Sequence, residues 1–325
     1  MPKKQPKRSR SSPSISSDSQ TPPPDIALWT GAGIRPTEQI LAQLGRFLSS
    51  NQFESIEDAN AAIQQFTTQG TSFSGPPVTA LEQAQELIWR AAEVPPQQRR
   101  QLAKQALAIC SDCVDAYTMQ AELTSSLSTA RELYAAGVAA GERVLGSTAF
   151  VDDAGHFWGL IETRPYMRAR AGLAQVLWRQ GEQGAAIGHL QDMLRLNPGD
   201  NQGLRYDLAR WLLNTGDDTA LTTLFEQYPD EGAADWLYTK ALWLYRTKAS
   251  DTATHALDEA LDANAFVPTY LLGKKKLPRT APTMITLGHA DEAIVYVLSA
   301  SGDWFTTPGA LAWLKERSAL QMKIQ

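Results

Sequence analysis

Four sets of positions in the middle of this chain recur at an almost constant interval, and that recurrence limits the fold more than any other feature. Ala174, Leu208 and Ala241 fall at steps of 34 and 33 residues, and Leu177, Trp211 and Leu244 keep the same steps. So do Ala186, Ala220 and Ala253, and so do Leu190, Leu224 and Leu257. Within the first unit, Leu173, Ala174 and Leu177 mark one face of a helix, Gly181 marks a turn, and Ala186, Ile187, Leu190, Met193 and Leu194 mark the face of a second helix. Pro198 stops that helix, because proline has no N–H to continue the ladder. The turn residues recur less strictly, as Gly181, Gly216 and then Lys248. A pair of helices this short cannot bury its apolar face alone, so copies must stack. Small residues such as Ala174 and Ala186 allow close helix approach, and Leu190 and Trp211 fill the space between hairpins.

A period near ~34 residues built from two helices is the signature of tetratricopeptide (TPR) repeats. The chain therefore reads as all-α: a TPR-like right-handed solenoid of stacked helix-turn-helix hairpins with a C-terminal capping helix. Residues 1–30 are rich in Lys, Arg, Ser and Pro and read as a disordered tail. Residues 36–70 predict an N-terminal hairpin, with Ile40, Leu41, Leu44, Phe47 and Leu48 on its first helix and Ser55 capping the second, whose apolar side carries Ile56, Ala59, Ala62, Ile63 and Phe66. Residues 68–77, with Gly70, Gly75, Pro76 and Pro77, read as a linker. The repeat array is expected over 79–265, with Leu87, Ala91, Leu102, Ala106, Ile109, Ala116, Ala121, Ala130, Tyr134 and Val138 as core, and a C-terminal capping segment over 266–325. Between Gly146 and Glu162 the chain carries extra sequence that a bare array does not need.

The net charge of −5, with both signs dispersed, argues against general nucleic-acid binding by the folded part. A basic cluster, Lys3, Lys4, Lys7, Arg8 and Arg10, leaves only weak tethering through the tail. No run approaches the ~18 apolar residues of a membrane helix, and no apolar stretch follows the basic N-terminus as in a secretory signal. These features predict a cytoplasmic protein without membrane insertion. Cys110 and Cys113 form an isolated Cys-x-x-Cys with no second pair, which reads as two semi-buried thiols. His156, His189, His255 and His289 match no metal-ligand spacing, and Gly31-Ala32-Gly33 lacks the strand that a phosphate loop requires. No cofactor, metal or catalytic residue is expected.

The candidate site lies in and after the extra sequence: His156, Trp158, Glu162, Arg164, Tyr166 and Arg168, then Asn201, Gln202 and Arg205. Arg164, Arg168 and Glu162 are spaced to share one surface at a helix start. Arginine offers a rigid fork for carboxylates, and Trp and Tyr offer stacking faces. First helices of successive hairpins line the concave side, so Arg164, Arg168 and Arg205 are expected in a common groove, where a peptide's carboxylate or an acidic side chain is the natural ligand. The same residues also suit a structural role. Glu162 then pairs with Arg164 or Arg168, Asn201 and Gln202 cap the helix after Pro198, and His156 and Trp158 fill a junction, since structural ion-pair networks and functional ones look alike in sequence.

Two stretches carry a more specific likeness. Gly155-His156-Phe157-Trp158-Gly159 with Glu162-Thr163-Arg164-Pro165-Tyr166-Met167-Arg168-Ala169, and Leu196-Asn197-Pro198-Gly199-Asp200-Asn201-Gln202-Gly203, resemble the helical-repeat region of the suppression-of-tumorigenicity protein family and its soluble bacterial relatives. The resemblance spans residues 80–270 and is sharpest over 155–205. It implies a TPR-like fold and a non-enzymatic role, and it assigns no ligand or site residues. The chain lacks the membrane segments of the animal members, so a membrane-linked role does not carry over. The leading expectation is a scaffold or adaptor that binds a protein or peptide in its concave face. The alternative is a small-ligand protein or enzyme using the His156–Arg168 region, which requires a closed pocket holding His156 and Glu162 together.

Overall fold

The structure, a computed structural model, describes residues 35–68, 77, 79–247 and 250–321. The expected tail over 1–30, Gly31-Ala32-Gly33, nearly all of the linker and the turn residue Lys248 lie outside the described residues. Among the described residues there are fifteen helices and no strand. They are α1 (Arg35–Ser50), α2 (Ile56–Thr68), α3 (Ala80–Ala91), α4 (Pro96–Ile109), α5 (Val114–Glu122), α6 (Leu127–Asp152), α7 (Arg164–Arg179), α8 (Gln183–Leu196), α9 (Leu204–Thr215), α10 (Asp218–Gln227), α11 (Ala234–Arg246), α12 (Ser250–Ala263), α13 (Val267–Leu271), α14 (Ala290–Thr306) and α15 (Ala310–Gln321).

Each helix from α3 onward packs on at least one neighbour in sequence, and the first helix of one hairpin packs on the first helix of the next, as α3 on α5, α5 on α7, α9 on α11 and α11 on α14. The molecule is an all-α solenoid of stacked hairpins. Of the twelve register positions, ten are buried; Ala220 and Leu244 are half-buried. Local chemistry sets the helix ends. Thr79 and Glu82 form a reciprocal capping box at α3, Ser55 accepts from the Asp58 N–H at 3.1 Å, and Asp217 accepts from the Ala220 N–H at 3.0 Å. Three expected core positions face water instead: Ile40, Ile56 and Ile109 are exposed, because each lies off the stripe that meets a neighbouring helix.

The pair α6/α7 comes together through glycine. Gly137 lies against Ala169 and Tyr117, Gly141 against the Tyr166 ring, and Gly172 against the Tyr134 ring, which is itself buried. The array closes with α15 on α12, where the Arg317 guanidinium meets Asp258 at 2.5 Å. A methyl group at Gly172 would overlap the Tyr134 ring. Alanine gains about 1 kcal/mol of helix propensity over glycine, but overpacking costs about 1–3 kcal/mol. Gly172→Ala is therefore expected to lower the thermal midpoint by calorimetry, and an unchanged or raised midpoint would contradict the close α6/α7 contact.

Polar side chains also stitch the first helices together. Gln175 of α7 donates to Asp207 of α9 at 2.6 Å. Arg210 of α9 donates to Asp207 and to Asp235 of α11. Asn214 of α9 donates to Asp303 of α14 at 2.7 Å. Burial raises the Asp235 carboxyl to about 6, against the pull of Arg210 and with the repulsion of Asp207 and Asp303. A carboxyl whose pKa is higher in the folded chain than in the unfolded one holds its proton more tightly when folded. Its contribution to stability is then largest below about pH 4 and declines as pH rises to about 6. Asp235→Asn should remove this decline, so the wild-type loss of stability between pH 4 and 6 should be steeper than the variant's in parallel urea titrations.

Candidate functional site

The extra sequence after α5 extends α6 to Asp152, broken inside by Gly146 at φ 70° and ψ 163°, a backbone region open essentially to glycine alone. A run of turns over 153–163 then leads into α7. These turns hang on the end of α8: the N–H groups of Gly155 and Phe157 both donate to the Leu196 carbonyl, at 3.0 and 3.2 Å. Phe157 is fully buried among Phe150 and Tyr166, with ring centroids 5.3 and 6.2 Å away. Thr163 closes the last turn by donating to the carbonyls of Phe157 and Leu160.

The candidate residues divide between two networks. In the first, Arg168 is completely buried on α7. Its guanidinium donates to both carboxylate oxygens of Asp115 on α5, at 3.0 and 2.8 Å, and to Glu38 on α1 at 2.7 Å. Gln85 of α3 donates to the same Asp115 at 3.0 Å. Burial opposes the charge on Arg168, and Asp115 and Glu38 outweigh it, raising the guanidinium above its usual range. Arg164 donates to the Trp158 carbonyl at 2.8 Å, approaches Glu38 at 3.6 Å and sits over the Trp158 ring at 5.5 Å. Trp158 is buried. Tyr166 accepts from Arg170 at 2.8 Å, and burial raises its phenol.

The second network holds Arg205, which donates to Asp200 and Glu231 and lies over the Tyr206 and Tyr228 rings at 4.5 and 5.3 Å. Burial raises Asp200 despite its hydrogen bonds from Arg205 and Leu204. Burial alone would raise Glu231 too, but the Ala233 N–H and Arg205 hold it below its usual value. Asp200, at φ 44°, caps α9 by accepting from the Leu204 and Arg205 N–H groups at 2.8 and 2.9 Å. That corrects the expectation that Asn201 and Gln202 supply the cap: Asn201 is exposed and Gln202 is buried beside them. Arg164 and Arg168 thus share Glu38, and Arg205 stands in a separate cluster.

The Glu162 pairing does not form. Glu162 is exposed and has no hydrogen bond or ion pair among the described residues. It opens instead onto a cavity of about 870 Å³ between α1 and the array, together with Tyr166, Pro165 and Ile161. Leu41, Ala42, Gly45 and Arg46 of α1 form one wall, and Leu81, Gln85 and Trp89 of α3 with Val144 and Leu145 of α6 form the other. His156 is exposed and does not line this space. The sequence reasoning missed Glu38, Arg46, Trp89 and Asp115. The available signal was a carboxylate on an otherwise apolar helix face, Glu38 beside Leu41 and Asp115 between Val114 and Ala116.

Of the two cysteines, Cys110 is half-buried and Cys113 is buried, and burial pushes the Cys113 thiol up to about 12, away from the reactive thiolate. Among the described residues no group of three or more His, Cys, Asp or Glu could hold a metal ion, and no helix is long and apolar enough to cross a membrane. No protein-family model matches the chain, and no curated protein matches it. The class that fold and site define is an all-helical protein with hairpins packed in a repeat-like way.

Removing Arg168 strands two buried carboxylates. Arg168→Met should cost about 3–5 kcal/mol in denaturant titration, as for other broken buried pairs. Arg143→Met, which breaks the exposed Arg143–Asp112 pair at 2.7 Å, should cost under about 1 kcal/mol. Similar losses for the two variants would show that the α1–α5–α7 network is not fixed in solution.

Proposed function

We propose that this chain is a TPR-like scaffold of the cytoplasm, non-enzymatic, that holds a segment of a partner protein in the cleft between α1 and the first hairpins. The cavity of about 870 Å³ carries the reading: its walls are mostly apolar, and it is framed by helices from three separate elements, as peptide grooves in helical arrays are. The steps of 34 and 33 residues, now seen as buried positions on paired helices, support the TPR assignment. The likeness of 155–169 and 196–203 to the suppression-of-tumorigenicity family supports a non-enzymatic role. The residues of the extra sequence contribute by shaping the cleft: Tyr166 and Glu162 line it directly, and Arg164 and Arg168 hold α1 over it through Glu38.

A second reading is a small apolar ligand in the same space, since the volume lies within the range of small-molecule pockets, about 300–1,000 Å³. One experiment separates the two. A photo-crosslinking phenylalanine is placed at Val144, which lines the cavity, and at Val151, which is exposed on the same helix outside it. After irradiation in source cells, a polypeptide adduct at position 144 and not at 151 is the expected result. Adducts of small mass at 144 favour the second reading, and equal polypeptide adducts at both positions defeat the first.

A further inference from the structure

Between α13 and α14, the sixteen residues from Lys274 to His289 differ from the rest of the surface. They hold Lys274, Lys275, Lys276 and Arg279, and from Ala263 to Ala290 there is no Asp or Glu. The remainder of the chain carries 26 Lys and Arg against 35 Asp and Glu, so one basic loop stands on an acidic body. Four of the twelve large apolar side chains exposed among the described residues lie in the same loop: Leu277, Met284, Ile285 and Leu287, with Met284 at 79 % and Leu287 at 68 %. Pro278 and Pro282 keep the segment from becoming a helix that could turn those side chains inward. Its feet are fastened. The Lys275 N–H donates to the Thr269 carbonyl at 3.1 Å, and the Gly288 N–H donates to the buried Glu292 at 2.7 Å. The acids that follow the loop are engaged by it, Asp291 accepting from the Thr286 N–H at 3.1 Å and Glu292 also from Asn264 at 2.8 Å. None of the four cations has an ion pair among the described residues.

Charge and apolar surface in one loop narrow what can cover it. A nucleic acid would meet the lysines, but residues 274–289 include no Phe, Tyr or Trp on which bases could stack. The nearby Tyr270 is buried, with the Lys275 ammonium over its ring at 5.6 Å. A folded acidic partner is a poorer match as well, since protein interfaces draw on aromatic residues and are depleted in lysine. An anionic bilayer suits both halves of the loop. Lysine is a compact point charge that acts on a diffuse negative surface without a fixed partner, and aliphatic side chains enter the headgroup boundary without a shaped seat. We propose that the α13–α14 loop rests on an anionic phospholipid surface, with Lys274, Lys276 and Arg279 at the headgroups and Met284, Ile285 and Leu287 at the acyl boundary. The contact is peripheral. An anionic surface repels the acidic remainder of the chain, so the loop is the part that turns toward it. The contact is independent of what occupies the cleft, which is framed by α1, α3 and α6.

The test sediments the full chain with vesicles of phosphatidylcholine, alone or mixed with phosphatidylglycerol. Binding should require phosphatidylglycerol and weaken as salt is raised. One basic side chain at such a surface changes the partition about fivefold, so Lys276→Gln should weaken binding by about that factor. Lys104→Gln makes the same charge change at an exposed position on α4 and should leave binding unchanged. The double variant Met284→Ser/Leu287→Ser, at positions exposed enough to leave the fold intact, should weaken binding about tenfold, with helical content checked by circular dichroism. The basic cluster between Lys3 and Arg10 is common to all these chains, so vesicle binding that ignores the loop variants belongs to that cluster and overturns the proposal. Equal binding to phosphatidylcholine alone overturns it, as does a loss for Lys104→Gln that matches Lys276→Gln. Full binding by the serine variant removes the apolar contact and overturns it too. Tighter binding to oligouridylate than to vesicles, lost with Lys276→Gln, would assign the loop to nucleic acid instead. The peptide-binding reading of the cleft stands or falls separately, on the crosslinks at position 144.

Discussion

A guanidinium can be taken out of water only where its donors find partners, and the arrangement of this solenoid's N-terminal half follows from that condition at Arg168. The side chain is fully buried, and its fork is met by Asp115 from one hairpin and Glu38 from α1. The charges nearly cancel once Arg164 is counted with Glu38. Such a network adds little net stability over an apolar core, since desolvation consumes much of the Coulombic gain. What it adds is direction. Apolar faces slide past one another at small cost, whereas a fork donating to carboxylates on two other helices fixes where α1 lies and which side of α5 meets α7.

The same device recurs along the array with different residues. Gln175, Asp207, Arg210, Asp235, Asn214 and Asp303 link α7, α9, α11 and α14. Around this polar seam, aromatic pairs set the spacing, as where Trp178 and Trp211 stack with centroids 4.6 Å apart. Glycine brings α6 and α7 together at a third kind of contact. Hairpin stacking is thus specified by polar pairing, ring stacking and steric fit, each acting at a different junction.

Much of this architecture was legible in the sequence because helical period and turn chemistry are local. The interval of 34 and 33 residues located the hairpins, and Ser55 and Pro96 marked helix starts that the structure has. The extension of α6 past Gly146 and the five-residue α13 were not legible, because a glycine and a Val267-Pro268 start read locally as breaks. The site was less legible still. Arg168 stands 53 residues from Asp115 and 130 from Glu38, separations at which no spacing rule operates. Glu162 looked paired because Arg164 and Arg168 are near in sequence, but their side chains run to Trp158 and Glu38. The pair between Arg46 and Glu86 exists only once α1 lies over α3.

The turns over 153–163 bring Ile161 and Glu162 to the edge of the cleft, and they are suspended from the end of α8 through the Leu196 carbonyl. That carbonyl lies just before the loop whose Asp200 caps α9, and Arg205 in the first turn of α9 grips Glu231 ahead of α11. That edge of the cleft is consequently fastened to the joint between α8 and α9 as well as to the start of α7. In a stacked array, a shift at the α8–α9 joint would therefore be felt first by the turns that bring Ile161 and Glu162 to the cleft.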